Sequence, residues 1–416
     1  MKFFNDKTIP KKWFIVIFGI KIIVGICLTL VYTYYYTDRG NADIYKYFDD
    51  SKYLFDALKD KPLDFIKMVL GLDFNSTYFD NKYYLEMSHW HRPYNNDLFN
   101  DSHIIIRFNA FVRLFSFGHF MVHNVFINFI SIIGLTFLFK AFKSFSPKNT
   151  KLLFYAIFLA PSIFFWGSGV LKESIIFFGF GLLIFHLLKF TKKANYLSPI
   201  YIIIALFILA FSKFYIVATL FIPVLGYIFN HYFKLKRIIL GYIFATTVFI
   251  SSIAITPFVI PKLNFVQQIV NKQNAFSRFI ASIPTNSGFK IAELTDASSL
   301  ILNIPNALLN TFIRPYFGEC NSLFVWLSAF ENHLLLIFIL FTFYFRKKIK
   351  TPQKNILLFN VSFVLALFIL IGLTTPVFGA IMRYKIPGTL LLLISLSLLL
   401  DIYKVKKAFP FLKKII

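Results

Sequence analysis

The stretch "NADIYKYFDD", Asn41 to Asp50, sets three carboxylates and two tyrosines directly after the first apolar run of the chain. A carboxylate there is suited to take a proton from a sugar hydroxyl as a general base, and Tyr45 and Tyr47 offer flat faces on which a pyranose ring can stack. Asp43 is the first candidate for that base and Asp49 the second. The alternative for Asp43, Asp49 and Asp50 alike is a helix N-cap or first-turn acid. A second stretch, "PSIFFWGSGVLKES", Pro161 to Ser174, puts Lys172 and Glu173 at the mouth of an apolar run. Ser168 is expected to cap the free backbone N–H groups there and Glu173 to favour the helix dipole, whereas Lys172 opposes it. An anion held jointly by the helix N-terminus and Lys172 relieves that conflict, phosphate being the natural candidate. The competing explanation is a lysine that reaches headgroups or pairs with an acid of the first outside loop. The glycines form no P-loop, since GxxxxGK[ST] is absent.

More charges gather at helix ends on the same side. They are Lys213, Arg314 and Glu319 in "FIRPYFGECN", Glu331 beside Asn332 and His333, and Arg383 in "MRYKIPG". Ionisable groups at or below a membrane surface are costly and usually face an interior cavity. Lys213, Arg314 and Arg383 therefore join Lys172 as candidates for holding a phosphate, with Glu173 and Glu331 in support. The alternatives are an Arg314 that binds its own helix C-terminus and a Lys213 or Arg383 that anchors at headgroups. "HWHRPY", His89 to Tyr94, invites a metal, but histidines at i and i+2 share a face only on a strand, and no third ligand stands beside them. No metal ligand is assigned and no cofactor is expected, a hard divalent cation in the acidic loops staying open. Cys27 and Cys320 give neither a disulfide framework nor metal-ligand spacing.

The elements that must position these residues follow from hydropathy. Of 416 residues, 57% are hydrophobic and 20% aromatic, with mean hydropathy +0.67, which marks an all-α polytopic membrane protein. Phe (57 residues), Ile, Lys and Asn abound while Gly is sparse, the composition of an AT-rich bacterial genome. Apolar runs of about 17 to 24 residues cross about 30 Å of hydrocarbon. They occur near 13–35, 120–139, 152–169, 173–190, 197–212, 214–232, 238–260, 324–345, 355–373 and 386–403, which makes about ten spans. The pair separated only by Lys213 is the least distinct.

The net charge of +25 is an orientation signal and not a nucleic-acid footprint. With the N-terminus cytoplasmic, the inside segments carry nearly all the excess Lys and Arg against Asp6 and Asp401 alone, so both termini face the cytoplasm. Lys21 interrupts the first span, whose length and "TYYYTDRG" flank exclude a cleaved signal peptide, so it stays as an anchor. No repeat or linker is visible, and residues 1–416 are expected to form one transmembrane domain. Two outside insertions, 36–119 and 261–323, carry short amphipathic stretches such as "KPLDFIKMVLGL" and "HIIIRFNAFVRLFSFG". These are expected to lie in the outer interface and to roof a cavity.

A first span, a large outside loop with an early Asp, interfacial helices, short later hairpins and basic outer helix ends resemble the GT-C class of integral-membrane glycosyltransferases. "PSIFFWGSGVLKES", "IPNALLNTFIRPYF…LSAFEN" and "MRYKIPG" are similar to stretches of uncharacterised bacterial membrane proteins of envelope polysaccharide synthesis. The resemblance implies a polyprenyl phosphate- or diphosphate-linked sugar donor, a glycan or lipid acceptor, and transfer on the periplasmic face of the bacterial inner membrane. It implies that Asp43, with Asp49 as fallback, is the base, and that Lys172, Lys213, Arg314 or Arg383 holds the donor phosphate. The chain departs from the class in having several competing acids in the first loop and no large soluble C-terminal domain. An O-antigen-type polymerase or ligase using the same cations is the alternative within enzymes. A transporter or flippase lacks its expected inverted repeats and midplane charges, and a non-enzymatic export subunit is the remaining class.

Overall fold

A computed structural model describes residues 2–36, 38–72, 76–91, 100–261, 263–282 and 287–411. Over these residues the chain is helical, with no strand and two isolated β-bridges, Gly288 with Val377 and Arg346 with Leu400. The helices are α1 Lys11–Leu30, α2 Asp43–Asp60, α3 Pro62–Leu70, α4 His103–Ser116, α5 Phe120–Lys143, α6 Thr150–Phe158, α7 Pro161–Trp166, α8 Lys172–Lys192 and α9 Leu197–Phe233. Then come α10 Ile239–Val259, α11 Phe265–Ser282, α12 Ala297–Leu302, α13 Ile304–Phe312, α14 Leu323–Tyr344, α15 Thr351–Thr374, α16 Phe378–Tyr384, α17 Ile386–Leu399 and α18 Ile402–Ala408, with short 3₁₀ and π turns between some of them.

Among the described residues seven helices are long and apolar enough to cross a membrane, or eight if α16 and α17, bent by 56°, form one span. Three places account for the difference from the expected ten, the first being the run 386–403, whose helix α17 has only 14 residues. The run 152–169 is split by Pro161 into α6 and α7, because proline removes a helical N–H and the residue before it leaves the α region. The runs 197–212 and 214–232 are two helices that meet at a kink at Lys213 (φ −159°, ψ 93°) within the 37-residue α9, which enters the count of seven as one stretch. A straight helix of that length would measure about 55 Å, nearly twice the hydrocarbon thickness. The break therefore divides two apolar segments, each near one crossing.

The chain forms two compact units, Met1–Ala141 with Ser162–Phe214, and Phe142–Pro161 with Tyr215–Ile416. In the first unit α8 is the most enclosed span, 78% of its apolar window being buried. It meets α5 backbone to backbone, where a Cβ at Gly181 would strike Gly134 O, the small-residue contact by which apolar helices approach closely. α1 docks on the Gly167–Gly169 turn, since a Cβ at Gly25 would strike Ser168 O and Asn124. α2 packs on α4, and Arg113 of α4 donates from Nε to Ser51 Oγ (2.8 Å) and from Nη2 to Phe48 O (2.6 Å). Both α3 and α4 are amphipathic as expected: α3 buries Phe65 and Met68 and exposes Leu63, Ile66 and Leu70, and α4 exposes Phe111 and Phe115.

In the second unit α15 packs against α13 so closely that a Cβ at Gly372 would strike Ala307 O. Val270, Leu294, Ala307 and Leu373 form a core beside them. Gln273 of α11 fastens this core, donating to Ala292 O and Leu373 O and accepting from Leu294 N. Asn149 likewise ties the start of α6 to Ser397 O and Leu400 O.

Candidate functional site

The acids of α2 separate by helical phase. Asp43, Tyr47 and Asp50, at i, i+4 and i+7, share a face, and Asp49 falls on another. Asp49 is exposed and paired with Arg39, whose Nη2 lies 2.8 Å from Oδ1. Asp50 is buried and accepts from Ser88 N (2.9 Å), Ser88 Oγ (3.2 Å) and His89 N (2.7 Å). Burial raises the pKa of its carboxyl, those hydrogen bonds and the nearby His89 opposing the rise. By fixing the backbone at 88–89, Asp50 sets the His89 imidazole against Tyr47 (ring centroids 5.6 Å) and within ion-pair reach of Asp43, Nε2 to Oδ1 3.9 Å. Asp43 is the first residue of α2, after Ala42, so it is also a first-turn acid.

Lys172 opens α8 and is almost completely buried. Its Nζ lies 5.4 Å from the Tyr47 ring centroid and 2.8 Å from Asp101 Oδ2. The pairing with an acid of the first outside loop is thus realised, and Asp101 was not singled out in the sequence. Lys213, at the break in α9, reaches the same oxygen at 3.9 Å. Glu173 is buried beside Lys172 in the first turn of α8. One unit therefore brings Asp43, His89, Tyr47, Lys172, Asp101 and Lys213 into a continuous chain of contacts.

Several expectations need correction. Ser168 does not cap α8, whose N-cap position is Leu171. Its hydroxyl instead donates to Phe164 O (2.6 Å) and accepts from Lys21 Nζ (3.0 Å). Lys21 also donates to Gly167 O (2.6 Å), an oxygen shared with the hydroxyls of Ser131 and Ser174. This fully buried amine thus holds the turn that leads into Lys172. The tyrosines present no free stacking platform. Tyr45 is buried under Arg39 (4.1 Å) and Phe120 (5.3 Å), and Tyr47 is enclosed between His89 and Lys172.

The histidines of "HWHRPY" diverge: His89 faces Asp43, while His91 Nε2 lies 3.2 Å from Asp80 Oδ1. Trp90 between them stacks on Tyr84 (4.1 Å) and His103 (3.8 Å). Arg92 to Tyr94 lie outside the described residues. Among the described residues no group of three or more His, Cys, Asp or Glu is placed to hold a metal.

The second unit holds the remaining candidates. Arg314 does not bind its helix C-terminus. Its Nε donates to both carboxylate oxygens of Glu319 (3.0 and 3.1 Å), its Nη2 pairs with Glu319 Oε1, and Nη1 donates to Asn310 Oδ1 (3.2 Å). The guanidinium lies 4.1 Å over Phe289, which stacks on Phe378 at 4.4 Å. Burial acts to raise the Glu319 carboxyl, but the Arg314 and Tyr316 N–H donors outweigh it and hold the group below its usual range. Asn332 donates to Arg314 O (2.7 Å) and accepts from buried Lys385 Nζ (2.7 Å), which also donates to Thr311 O (2.8 Å). Glu331 stands within electrostatic range of Lys385, and Arg383 is half-buried in the last turn of α16. Lys385 lies inside the quoted "MRYKIPG" yet was not singled out there. No known protein family, curated protein sequence or solved structure matches this chain.

Proposed function

We propose that the chain is a membrane glycosyltransferase that moves a sugar from a polyprenyl-phosphate-linked donor to an envelope glycan or lipid acceptor. The site faces the periplasm of a bacterial inner membrane, both termini are cytoplasmic, and the exposed apolar faces of α3 and α4 lie in the outer interface. The acceptor hydroxyl oxygen attacks the anomeric carbon and its proton passes to Asp43. The bond from that carbon to the donor phosphate oxygen breaks, and polyprenyl phosphate leaves against Lys172 and Lys213. His89 orients Asp43, and Asp50 holds His89.

Support comes from one observation above all: Asp43 and Lys172, 129 positions apart in the sequence, are linked by His89 and Tyr47 within a single unit. Asp49 is the weaker base because it lies off the face of α2 that carries Asp43 and Tyr47 and is paired with Arg39 in an exposed position. Arg314 is the weaker phosphate ligand because Glu319 and Asn310 take up its donors.

The test is transfer by membranes containing each variant and supplied with labelled polyprenyl-phosphate sugars. Loss of a positioned base is worth about 10²–10⁴-fold, so Asp43→Asn is expected to fall into that range, Lys172→Met to fall similarly, and Asp49→Asn to stay near wild type. Near wild-type transfer by both Asp43→Asn and Lys172→Met would overturn the assignment.

A further inference from the structure

Lys172 and Lys213 come from different helices, yet both ammonium groups face one atom, Asp101 Oδ2, at 2.8 and 3.9 Å. The lysine side chains are 5% and 8% exposed and that of Asp101 is 22% exposed. The carboxylate is therefore the most exposed member of the trio. Carboxylate and phosphate oxygens make the same demand on a lysine, a charge-assisted N–H···O contact of about 2.7–2.9 Å. Glu173, buried next to Lys172, keeps a compensating negative charge in the vicinity if Asp101 swings away.

From this geometry we propose that Asp101 is a stand-in anion. Its carboxylate occupies the position that a phosphate group takes between Lys172 and Lys213, and the incoming phosphate displaces it. The identity of the ligand as a lipid-linked phosphate rests on the transferase function proposed above; the exchange itself does not. An intramolecular competitor lowers apparent affinity by the fraction of molecules in which it is bound, so a site occupied by Asp101 nine-tenths of the time binds about tenfold more weakly than its intrinsic affinity. Asp101 thus sets donor affinity and leaves the chemical step to other groups.

The experiment uses the full chain in nanodiscs of neutral lipid, with inorganic phosphate and farnesyl phosphate as probes. Binding is read from the shift in thermal unfolding by tryptophan fluorescence. Asp101→Asn is expected to bind at least about tenfold tighter than wild type, and adding Lys172→Met is expected to abolish the gain. Should Asp101→Asn fail to fold, Asp101→Ser gives the same reading. Unchanged affinity in these variants, or a gain that survives Lys172→Met, overturns the proposal. Farnesyl phosphate binding more tightly than inorganic phosphate marks a lipid-linked ligand, and the reverse marks a free phosphate. The two proposals fail separately. Transfer with an unaltered donor KM in Asp101→Asn removes the stand-in role and leaves the transferase, whereas tighter anion binding with no transfer by any variant does the opposite.

Discussion

The crossing of α5 and α8 gives a sharp stability prediction with a functional consequence. A Cβ at Gly134 would fall against Phe177 O and one at Gly181 against Gly134 O, well inside van der Waals contact. Both obstacles are backbone that cannot rotate away. Alanine at either position must part the helices by roughly 1 Å, a gap that forfeits about a quarter to a half of the dispersion energy across the contact. Overpacking of this kind costs about 1–3 kcal/mol, and here the upper end applies. Helix propensity returns about 1 kcal/mol of that, so Gly181→Ala should be about 1–2 kcal/mol less stable than wild type. Gly19→Ala is the control, since nothing lies within 4 Å of its Cβ and only the propensity gain remains. Because α8 carries Lys172, a shift of about 1 Å also misplaces the cation, and misplacement on that scale can cost about 10²-fold in rate. Thermal unfolding in detergent, followed by tryptophan fluorescence, compares the variants beside the transfer assay. A Gly181→Ala midpoint equal to that of Gly19→Ala would refute the backbone contact.

Three further predictions concern the polar anchors. Asp50→Ala leaves the N–H groups of Ser88 and His89 without their acceptor, and because both lie at the partly solvated edge of the site the expected loss in urea unfolding is about 1–3 kcal/mol in all. In the wild type, burial makes the Asp50 carboxyl bind its proton more tightly in the folded chain than in the unfolded one. This residue's contribution therefore falls as pH rises from about 4 through the folded pKa, and the unfolding midpoint of Asp50→Asn should lack that slope. Glu319 has the opposite sign: its lowered pKa contributes stability above the unfolded value of about 4.5 that is lost as pH falls through the folded one. Solvent keeps the term below about 1 kcal/mol, and Glu319→Gln should flatten the acid limb of stability against pH. Lys21→Met orphans no acceptor, since Gly167 O keeps Ser131 and Ser174 and the Ser168 hydroxyl keeps Phe164 O. Exchange of a buried charge for an apolar isostere is often close to neutral, so Lys21→Met should unfold near wild type, and Lys21→Ala, which leaves a void, about 2–5 kcal/mol earlier.

Hydropathy made the membrane class and most spans legible, because length and apolarity are local properties of the chain. It overstated the number of spans at Pro161, which splits a run that composition alone joins, whereas Lys213 does separate two helices at the place the sequence marked. Lys172 stood out because a lysine at a helix start opposes the helix dipole, whereas Asp43 is also an ordinary first-turn acid. Asp101 did not stand out, since it sits among many loop acids and gains its ion pairs only when two lysines from later helices arrive. Asp50 was set beside Asp49 as a first-turn acid, and only the 88–89 backbone, 38 and 39 positions away, distinguishes them. Lys21 was recognised as a charge interrupting the first span, but nothing nearby in the sequence names its partner.

That partner has a consequence for biogenesis. The carbonyl that receives the Lys21 amine lies 146 residues further along the chain, so the ribosome delivers the first helix to the translocon well before its acceptor has been synthesised. A lysine near the centre of an inserting helix costs about 2.5–3.5 kcal/mol, which the surrounding residues, at mean hydropathy 2.8, must offset unaided. Membrane assembly of this protein is therefore sequential by construction: a strongly apolar helix enters with its amine unclaimed, and the nascent Gly167 turn later captures it.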